Sequence, residues 1–347
     1  MSKAEQVDKN LVVEKTIDEQ GVCWYDCQKP PFSIHGLFYE DGAFRRLPEA
    51  VAATVSKGVL NLHDRCSGGR VRFCTDSPFI SIRAGMRNLF SSSIASLCGL
   101  SGFDLYADGK NERAFRPPLE MEDGYESRAE LGSSKLREIM IFFPTYSGVT
   151  SLEIGLQEGC RLEAAKPYPN EKPIVIYGSS ITQGAASSRA GTCYTNILCR
   201  ELGRDIWNLG FSGNAKGEKE IADYIAGLPM ECFVCDYDHN APTVEHLEKT
   251  HEPLYKTVRA AHPDIPILFM CLPRFVVNEN TQQRMDVIRR TYENAKAAGD
   301  ENVYLLTGPE LMALAGTEGL VDAVHPNDLG FYSMARAVCD VLRPILK

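Results

Sequence analysis

Two pairs of residues in this chain could together perform acyl transfer. Ser179 and Ser180 stand side by side after a short apolar run, and Asp322 and His325 lie three residues apart near the C-terminus. At that spacing in a loop, the carboxylate can accept a hydrogen bond from one ring nitrogen, which fixes the imidazole tautomer. The other ring nitrogen is then free to take the proton of a serine hydroxyl. Serine, aspartate and histidine therefore occur in an order compatible with an acyl-transfer triad.

The serine pair lies at a predicted junction between a strand and a helix. The preceding run, 174–177, is short, apolar and rich in β-branched residues, which is typical of a strand buried on both faces. Gly178 permits a sharp turn, and Ser179, Ser180 and Thr182 are good N-cap residues for a helix. A serine at this point has its hydroxyl held outward beside backbone N–H groups that could bind an oxyanion. A plain turn in which the serines only cap the helix explains the same residues.

This junction opens a half of the chain in which apolar strands alternate with helical patterns. The predicted strands are 174–177, 205–209, 232–237, 266–271 and 302–306, and the predicted helices are 192–202, 218–225, 244–261, 278–298 and 328–346. Such alternation indicates βαβ crossovers and a parallel sheet covered on both faces. Ligands of such sheets bind beyond the carboxyl ends of the strands, so the residues that follow each strand are the candidates for function.

Those positions carry several polar or glycine-rich segments. The second strand is followed by Asn208-Leu-Gly-Phe-Ser-Gly-Asn214, which can bring a backbone N–H close to a ligand. The third is followed by residues 236–242, which include His239 and Asn240. Three further side chains near strand ends could meet a polar or anionic substrate: Lys216, Tyr237 and Arg274.

The first half of the chain is predicted to be mostly β. Strands are indicated at 71–76, 79–83, 103–109, 138–143 and 151–156, with an Asp-Gly hairpin turn at 108–109 and short helix or irregular structure at 45–54 and 86–100. Short strands at close spacing favour an antiparallel sandwich. The segment 163–173 carries three prolines and is predicted to be a stiff linker, which divides the chain into domains 1–165 and 166–347. His35 and His63 have no acidic or cysteine partner at a useful spacing and are predicted to be structural or surface residues.

Composition excludes some classes of function. The 347 residues carry a net charge of -9 without a basic cluster, which argues against a nucleic-acid partner. The N-terminal segment is polar and no run approaches a membrane span, so we expect a soluble, cytoplasmic protein. Twelve cysteines scattered through apolar segments are typical of reduced core thiols. Cys232 and Cys235 have metal-site spacing but no partner motif, and we expect buried strand residues.

Four short blocks in the second half of the chain, over roughly residues 174–346, resemble those of the SGNH (GDSL) hydrolase superfamily of esterases and acyl hydrolases. They are Gly178-Ser-Ser-Ile-Thr182, Asn208–Gly213, Asn240 and Asp322–His325, in the family's order. The resemblance implies a flavodoxin-like three-layer α/β/α domain. It implies roles for five residues: Ser180 as nucleophile, His325 as base, Asp322 as its orienting acid, and the Gly213 N–H and Asn240 amide as oxyanion donors beside the Ser180 N–H. It requires no metal or organic cofactor.

Two blocks depart from the family pattern. The aspartate that usually precedes the nucleophile is Ser179 here, which leaves a one-residue ambiguity with Ser180, although the following Ile-Thr favours Ser180. The third block normally reads Gly-x-Asn-Asp, whereas this chain has Asp238-His-Asn-Ala241, in which Asn240 stands at the family's asparagine. His239 beside it could contact substrate or be structural.

An all-β domain before such a hydrolase is similar to the jelly-roll domain of some carbohydrate esterases. The resemblance therefore implies an esterase that removes a small acyl group, such as acetyl, from a carbohydrate or another polar alcohol. An acyltransferase on the same scaffold and a catalytically silent carbohydrate-binding protein are the alternatives. A nucleotide-binding enzyme is disfavoured, because neither a Gly-Lys-Ser/Thr phosphate loop nor a G-x-G-x-x-G pattern follows a strand.

Overall fold

The structure is a computed structural model that describes residues 4–8, 12–13, 17 and 20–346. Residues 1–3 and 9 of the polar N-terminal segment lie outside that part. The strands of the first half are short, and they are, in chain order, β1 Val22–Asp26, β2 Ser33–His35, β3 Phe38–Glu40, β4 Ala43–Arg45, β5 Arg70–Thr75, β6 Phe79–Arg87, β7 Phe103–Ala107, β8 Lys110–Phe115, β9 Gly124–Glu130, β10 Arg137–Phe142, β11 Gly148–Gln157 and β12 Leu162–Glu163. The helices of the first half are α1 Ala4–Val7, α2 Glu49–Val55, α3 Lys57–Leu62 and α4 Leu97–Ser101.

Ten of these strands form two antiparallel sheets that share one core, and β3 and β4 pair in a separate two-stranded sheet. One sheet has the order β1-β11-β6-β9, and the other has the order β12-β5-β10-β7-β8 with β2 also paired to β5. Alternate apolar residues of both sheets, such as Phe73, Ile82 and Ile154, point into a common buried cluster. Burying one face of each sheet against the other is what stabilises a sandwich of short strands. The prediction of an antiparallel β domain is confirmed.

The second half forms the predicted parallel sheet. Its strands are β13 Ile174–Gly178, β14 Ile206–Gly210, β15 Cys232–Asp236, β16 Ile267–Met270 and β17 Val303–Leu306, and its helices are α5 Ser180–Gln183, α6 Tyr194–Leu202, α7 Lys219–Ala226, α8 Val244–Ala261, α9 Glu279–Ala297, α10 Gly308–Leu311 and α11 Asp328–Leu342. The strand order is β14-β13-β15-β16-β17, with every neighbouring pair parallel. This is the flavodoxin-like order, so the predicted fold class is confirmed.

Helices cover both faces of this sheet. Along β13, Val175 and Tyr177 pack against α7, α8 and α9, while Ile174 and Ile176 pack against α6 and α11 on the other face. A strand buried on both faces needs apolar residues at every position, which is why these strands read as continuous apolar runs. Most element ends fall within two residues of the prediction, but α11 stops at Leu342 and the predicted helix to residue 346 is four residues too long.

The predictions for the first half were less complete. The Asp-Gly hairpin is present between β7 and β8, with both turn residues, Asp108 and Gly109, at positive φ. The segment 86–100 is neither one helix nor one loop, because its first two residues complete β6 and only its last four belong to α4. Strands β1, β2, β3, β4, β8, β9 and β12 were missed. Five of them have only two to five residues, and in β8 and β9 charged residues hide the apolar alternation.

Ion pairs and hydrogen bonds join the two halves of the molecule. The buried guanidinium of Arg70 in β5 pairs with Asp205 at the start of β14. His35, expected to be structural, contacts the same carboxylate with Nδ1 at 3.3 Å. His63 makes its contact within the first half instead, where its Nε2 lies 2.6 Å from Arg45 Nη1. The described structure has no regular element between residues 164 and 173, and the domain division at residues 165 and 166 stays a prediction.

All twelve cysteines are free thiols. Cys232 and Cys235 are buried in β15, and burial raises the pKa of both thiols. Within the described ranges, no group of three or more His, Cys, Asp or Glu side chains could hold a metal ion. No helix in the described part of the chain is long and apolar enough to cross a membrane. The expected cytoplasmic location stays a prediction.

Candidate active site

The turn after β13 separates the roles of the two adjacent serines. Gly178 must be glycine, because a Cβ there would lie 2.0 Å from Thr182 Oγ1 and 2.6 Å from the Asp236 carbonyl oxygen. Ser179 is the N-cap of α5, and its hydroxyl accepts a hydrogen bond from the Ile181 N–H at 3.1 Å. Ser180 is the first residue of the helix, where a backbone N–H has no partner within the helix. Helix capping therefore accounts for Ser179 only, and the Ser180 hydroxyl is left for another contact.

That contact is with the histidine of the C-terminal loop. Ser180 Oγ lies 2.9 Å from His325 Nε2, and His325 Nδ1 lies 2.8 Å from Asp322 Oδ2. The structure thus brings the three residues into one hydrogen-bonded chain, although 145 positions separate the serine from the histidine. The Ser180 side chain is almost fully buried, whereas the histidine and aspartate side chains are 20% and 33% exposed.

The loop that carries His325 is closed by its own backbone. The Val321 N–H donates to the His325 carbonyl at 2.9 Å, and Asp322 Oδ1 accepts the N–H groups of Val324 and His325 at 3.1 and 2.8 Å. Partial burial favours protonation of Asp322, but these N–H donors and the imidazole outweigh it and hold the pKa of the carboxyl below its ordinary value. Asp322 therefore stays ionised at neutral pH, as a partner that stabilises an imidazolium must.

The three expected oxyanion donors follow three different strands: Ser180 comes after β13, Gly213 after β14 and Asn240 after β15. Gly213 is exposed and has φ +69°, a left-handed conformation that suits glycine. Among the described residues, no acceptor is found for the N–H of Gly213 or of Ser180. The Asn240 amide nitrogen donates to the Phe211 carbonyl at 3.0 Å, and this bond orients the amide while its second hydrogen stays available.

Two buried groups hold the turn on which Asn240 lies. Arg284 of α9 donates to the carbonyls of Asp238 and Ala241 at 2.6 and 2.9 Å. The Asp238 carboxylate accepts the Leu272 N–H at 3.0 Å, and burial raises its pKa to about 6. Arg284 lies mid-helix with no motif around it, so the sequence offered no signal for this role.

A buried hydrogen-bond cluster beneath the nucleophile was also missed. Asp236 Oδ2 accepts the hydroxyl of Thr182 at 2.7 Å and that of Tyr194 at 2.8 Å. Burial raises the pKa of Asp236 to about 7, since neither hydroxyl fully compensates for the loss of water. Position at a strand end was the only available signal, and it could not distinguish a support residue from one that faces substrate.

Four other strand-end side chains have mixed outcomes. His239 lies close enough to His325 to feel its charge, and burial, reinforced by that charge, lowers its pKa to about 4. Arg274 donates to the Ala323 carbonyl at 2.9 Å, beside the histidine loop. Tyr237 is 1% exposed, and its hydroxyl lies in hydrogen-bond contact with Thr250 Oγ1 at 2.7 Å in the core, so the prediction that it could meet substrate is wrong. Lys216 lies partly buried near α8, where its carbonyl contacts His246 Nε2 at 2.8 Å.

Family models and solved structures agree with this architecture. The GDSL-like lipase/acylhydrolase family model matches residues 171–343, and the model described as the N-terminus of Esterase_SGNH_hydro-type proteins matches residues 22–162. Comparison with curated proteins gave no match.

Three solved structures illustrate the likeness. A protein of Bacteroides ovatus described as a GDSL-like lipase is 28% identical, with a TM-score of 0.83 over 94% of this chain and 98% of its own. The salicylyl-acyltransferase SsfX3 from a tetracycline biosynthetic pathway is 19% identical, with a TM-score of 0.77 over 94% and 99%. A family two carbohydrate esterase from Clostridium thermocellum, in complex with cellohexaose, is 15% identical, with a TM-score of 0.62 over 91% and 99%. The last two show the fold alone.

The fold and the family models together define a hydrolase that acts on ester bonds. The chain belongs to the SGNH (GDSL) hydrolase superfamily, with an N-terminal antiparallel β domain in front of the hydrolase domain.

The second family model is named after the pattern Gly-x-Asp-Leu-Tyr, which here is Gly102-Phe-Asp-Leu-Tyr106. Asp104 is fully buried and accepts hydrogen bonds from Arg189 Nη1 at 2.5 Å and from the Gly191 N–H at 2.9 Å. Arg189 also donates to the Tyr106 hydroxyl at 2.7 Å. The pattern therefore attaches the β domain to the segment that leads into α6 of the hydrolase domain.

Proposed function

We propose that the protein is a serine esterase in which Ser180 is the nucleophile, His325 the general base and Asp322 the residue that orients the histidine. The observation that carries this proposal is the continuous hydrogen-bonded chain from Ser180 Oγ through His325 to Asp322, with contacts of 2.9 and 2.8 Å. A serine hydroxyl is a weak nucleophile unless a base within hydrogen-bond reach takes its proton, and His325 is at that distance.

The reaction begins when Ser180 Oγ attacks the ester carbonyl and its proton passes to His325 Nε2. The tetrahedral oxyanion is held by the N–H groups of Ser180 and Gly213 and by the Asn240 amide. His325 then gives the proton to the leaving alcohol as the carbon–oxygen bond breaks, which leaves an acyl group on Ser180. Water, deprotonated by His325, attacks the acyl-enzyme and releases the acid, and the proton returns to Ser180.

The substrate proposed for this site is a small acyl ester, such as an acetyl ester, of a carbohydrate or another polar alcohol. The polar groups next to the triad support this choice, because a neutral His239 and the Arg274 guanidinium can hydrogen-bond to hydroxyl groups. A pocket of about 390 Å³ lies beside the loop that carries Asp322 and His325, and its lining includes Ala323, Leu320 and the exposed Phe275. An aromatic ring with polar neighbours suits the mixed polar and apolar surface of a sugar. The fold shared with the carbohydrate esterase that binds cellohexaose agrees with this choice.

The test compares hydrolysis of p-nitrophenyl acetate, butyrate and octanoate by wild type, Ser180→Ala and Ser179→Ala. We expect Ser180→Ala to lose roughly 10⁴-fold or more in kcat, because the covalent step disappears. Ser179→Ala removes only a helix cap, typically about 1 kcal/mol of stability, so it should keep most of its activity. Retained activity in Ser180→Ala, or loss only in Ser179→Ala, would contradict the proposal. Preference for acetate would be followed by assays on acetylated xylo- and cello-oligosaccharides.

An acyltransferase is the second candidate, and the fold shared with the salicylyl-acyltransferase is the observation that favours it. Both activities pass through the same acyl-enzyme and differ only in whether water or another alcohol accepts the acyl group. The two are separated by adding methyl glucoside or glycerol to the p-nitrophenyl acetate assay and measuring free acetate against acetylated alcohol. Free acetate as the main product at millimolar acceptor supports the esterase.

A further inference from the structure

The segment Gly210–Asn214, called the oxyanion loop below, carries the Gly213 N–H but does little to position it by itself. Gly213 is exposed, and nothing lies within 4 Å of the point where its Cβ would be. An exposed glycine has wide conformational freedom, so the direction of its N–H depends on what holds the residues on either side. Oxyanion donors contribute to rate only when they are already aimed at the developing charge.

The β domain holds the first two residues of the oxyanion loop. Arg46, which follows β4, is fully buried and donates to the Gly210 carbonyl at 2.8 Å. Its guanidinium also lies over the Phe211 ring, 5.1 Å from the centroid. The same group donates to the Asn208 carbonyl at 3.0 Å, and thus covers the end of β14 as well. This cation has only carbonyl, amide and aromatic partners in these contacts, and burial lowers its pKa to about 10.

The β domain also contacts the residue that precedes Gly213. Tyr146 lies between β10 and β11 and is 3% exposed, and its phenol interacts with the Ser212 side chain, which opposes the rise in its pKa that burial causes. Its hydroxyl also approaches the Ser180 carbonyl at 3.5 Å. One phenol therefore touches both the nucleophile turn and the oxyanion loop. The ring is packed against Phe90, with centroids 5.1 Å apart.

A second connection to Ser212 runs through the nucleophile helix. The Gln183 side chain accepts the Ser212 N–H at 2.9 Å and donates to the Thr145 carbonyl at 3.3 Å. Beyond Gly213, Gly58 of α3 is so close to the loop that a Cβ there would lie 1.8 Å from Asn214 Oδ1. The β domain thus reaches the oxyanion loop on both sides of Gly213.

We infer that the β domain is a working part of the catalytic centre, with Tyr146 as a positioning residue that sets the Gly213 N–H relative to Ser180. This inference rests on the proposed function, because it needs Gly213 to be an oxyanion donor. Tyr146 touches no reacting atom. It acts through Ser212, whose N–H is also held by Gln183 next to the Thr145 carbonyl, and through the backbone carbonyl of Ser180.

The test is Tyr146→Phe, with Tyr125→Phe as the matched control. Tyr125 is equally buried in the same domain, and its hydroxyl donates to the Ser101 and Phe115 carbonyls without reaching the oxyanion loop. We expect Tyr146→Phe to lower kcat on p-nitrophenyl acetate by about tenfold with KM changed less than about twofold, since only the transition state uses the oxyanion donors. Inhibition by an alkylboronic acid, which adds to a serine as a tetrahedral anion, should weaken by a similar factor. Tyr125→Phe should leave both values within about twofold of wild type.

Ser212→Ala removes the other partner of the same contact and completes a double-mutant cycle. If the two hydroxyls act as one unit, the double variant should lose no more kcat than the stronger single variant. Multiplicative losses, or a Tyr146→Phe kcat equal to that of Tyr125→Phe, overturn the inference. If Tyr146→Phe does not fold, Ser212→Ala alone decides, because unchanged kcat and boronate affinity in that variant would also overturn it.

The same assays distinguish this inference from the proposed function. If Ser180→Ala is inactive while Tyr146→Phe and Ser212→Ala keep wild-type kcat, the esterase proposal stands and only the role of the β domain fails. If Ser180→Ala keeps full activity, the proposed function itself fails.

Discussion

Replacement of Asp236 by asparagine is expected to stabilise the protein, and to do so only at neutral and alkaline pH. The Asp236 carboxyl is buried and accepts the hydroxyls of Thr182 and Tyr194, which an amide oxygen can also accept. Burial raises its pKa to about 7, against an ordinary aspartate value of 3.8. Nearby Asp238, also buried, raises it further and is present in both proteins.

The sign of the effect follows from proton binding. Between about pH 4 and pH 7 the folded state holds a proton on Asp236 that the unfolded state has already released, so the free energy of unfolding falls as pH rises. One pKa unit corresponds to about 1.4 kcal/mol, so the ionised carboxylate costs the folded state roughly 4 kcal/mol above pH 7. Asp236→Asn has no charge to bury and avoids this cost.

The assay is guanidinium unfolding of wild type and Asp236→Asn at half-unit steps from pH 4 to pH 8.5. The difference between the two proteins cancels the titration of all other groups that the substitution does not touch. We expect that difference to be small near pH 4 and to grow to a few kcal/mol in favour of Asp236→Asn by pH 8. A difference that stays constant with pH, or that favours wild type at pH 8, would refute the reasoning.

Three further predictions concern the site and its support. Asp322→Asn should lower kcat on p-nitrophenyl acetate by roughly 10³–10⁴-fold without unfolding, because the amide sets the wrong imidazole tautomer; steady-state kinetics and circular dichroism check this. Asn240→Ala should lower kcat by about 10²–10³-fold with little change in KM, and an equal loss through KM alone would contradict its role as a donor. Arg46→Met should lower the melting temperature strongly, since carbonyls at Gly210, Asn208 and Leu62 lose a buried donor worth roughly 1–3 kcal/mol each, and Arg46→Lys should not restore it because an ammonium cannot reproduce the planar fork.

The order of secondary structure in the hydrolase domain could be predicted because its strands are short and buried on both faces. Such strands must be apolar throughout, and the amphipathic helices between them have a different period, so each boundary is marked locally. Asn278, for example, caps α9 with its side chain as its residue type suggests. In the β domain, strands such as β8 expose four consecutive polar residues to solvent, and this pattern looks like a loop until the partner strand is known.

The candidate site was predictable to the extent that it lies at strand ends. The resemblance to the family's four blocks identified Ser180, Asp322 and His325, and the structure brings these three side chains within hydrogen-bond distance. Position at a strand end did not exclude Tyr237 as a substrate contact. A residue there can point either to the ligand or into the core, and only the packing of the folded chain distinguishes the two orientations.

In the hydrolase domain, the sequence by itself determined the elements, their order and the loops on which chemistry-bearing residues lie, because these depend on residues close together in the chain. Only the tertiary structure decided which serine faces the histidine and which groups support the oxyanion loop. Tyr146 and Arg46 lie 34 and 134 positions before Ser180, and no local pattern marks a side chain whose partners are that far away. Their contacts exist because the β domain packs against the carboxyl ends of β13 and β14, and that packing is a property of the whole folded chain.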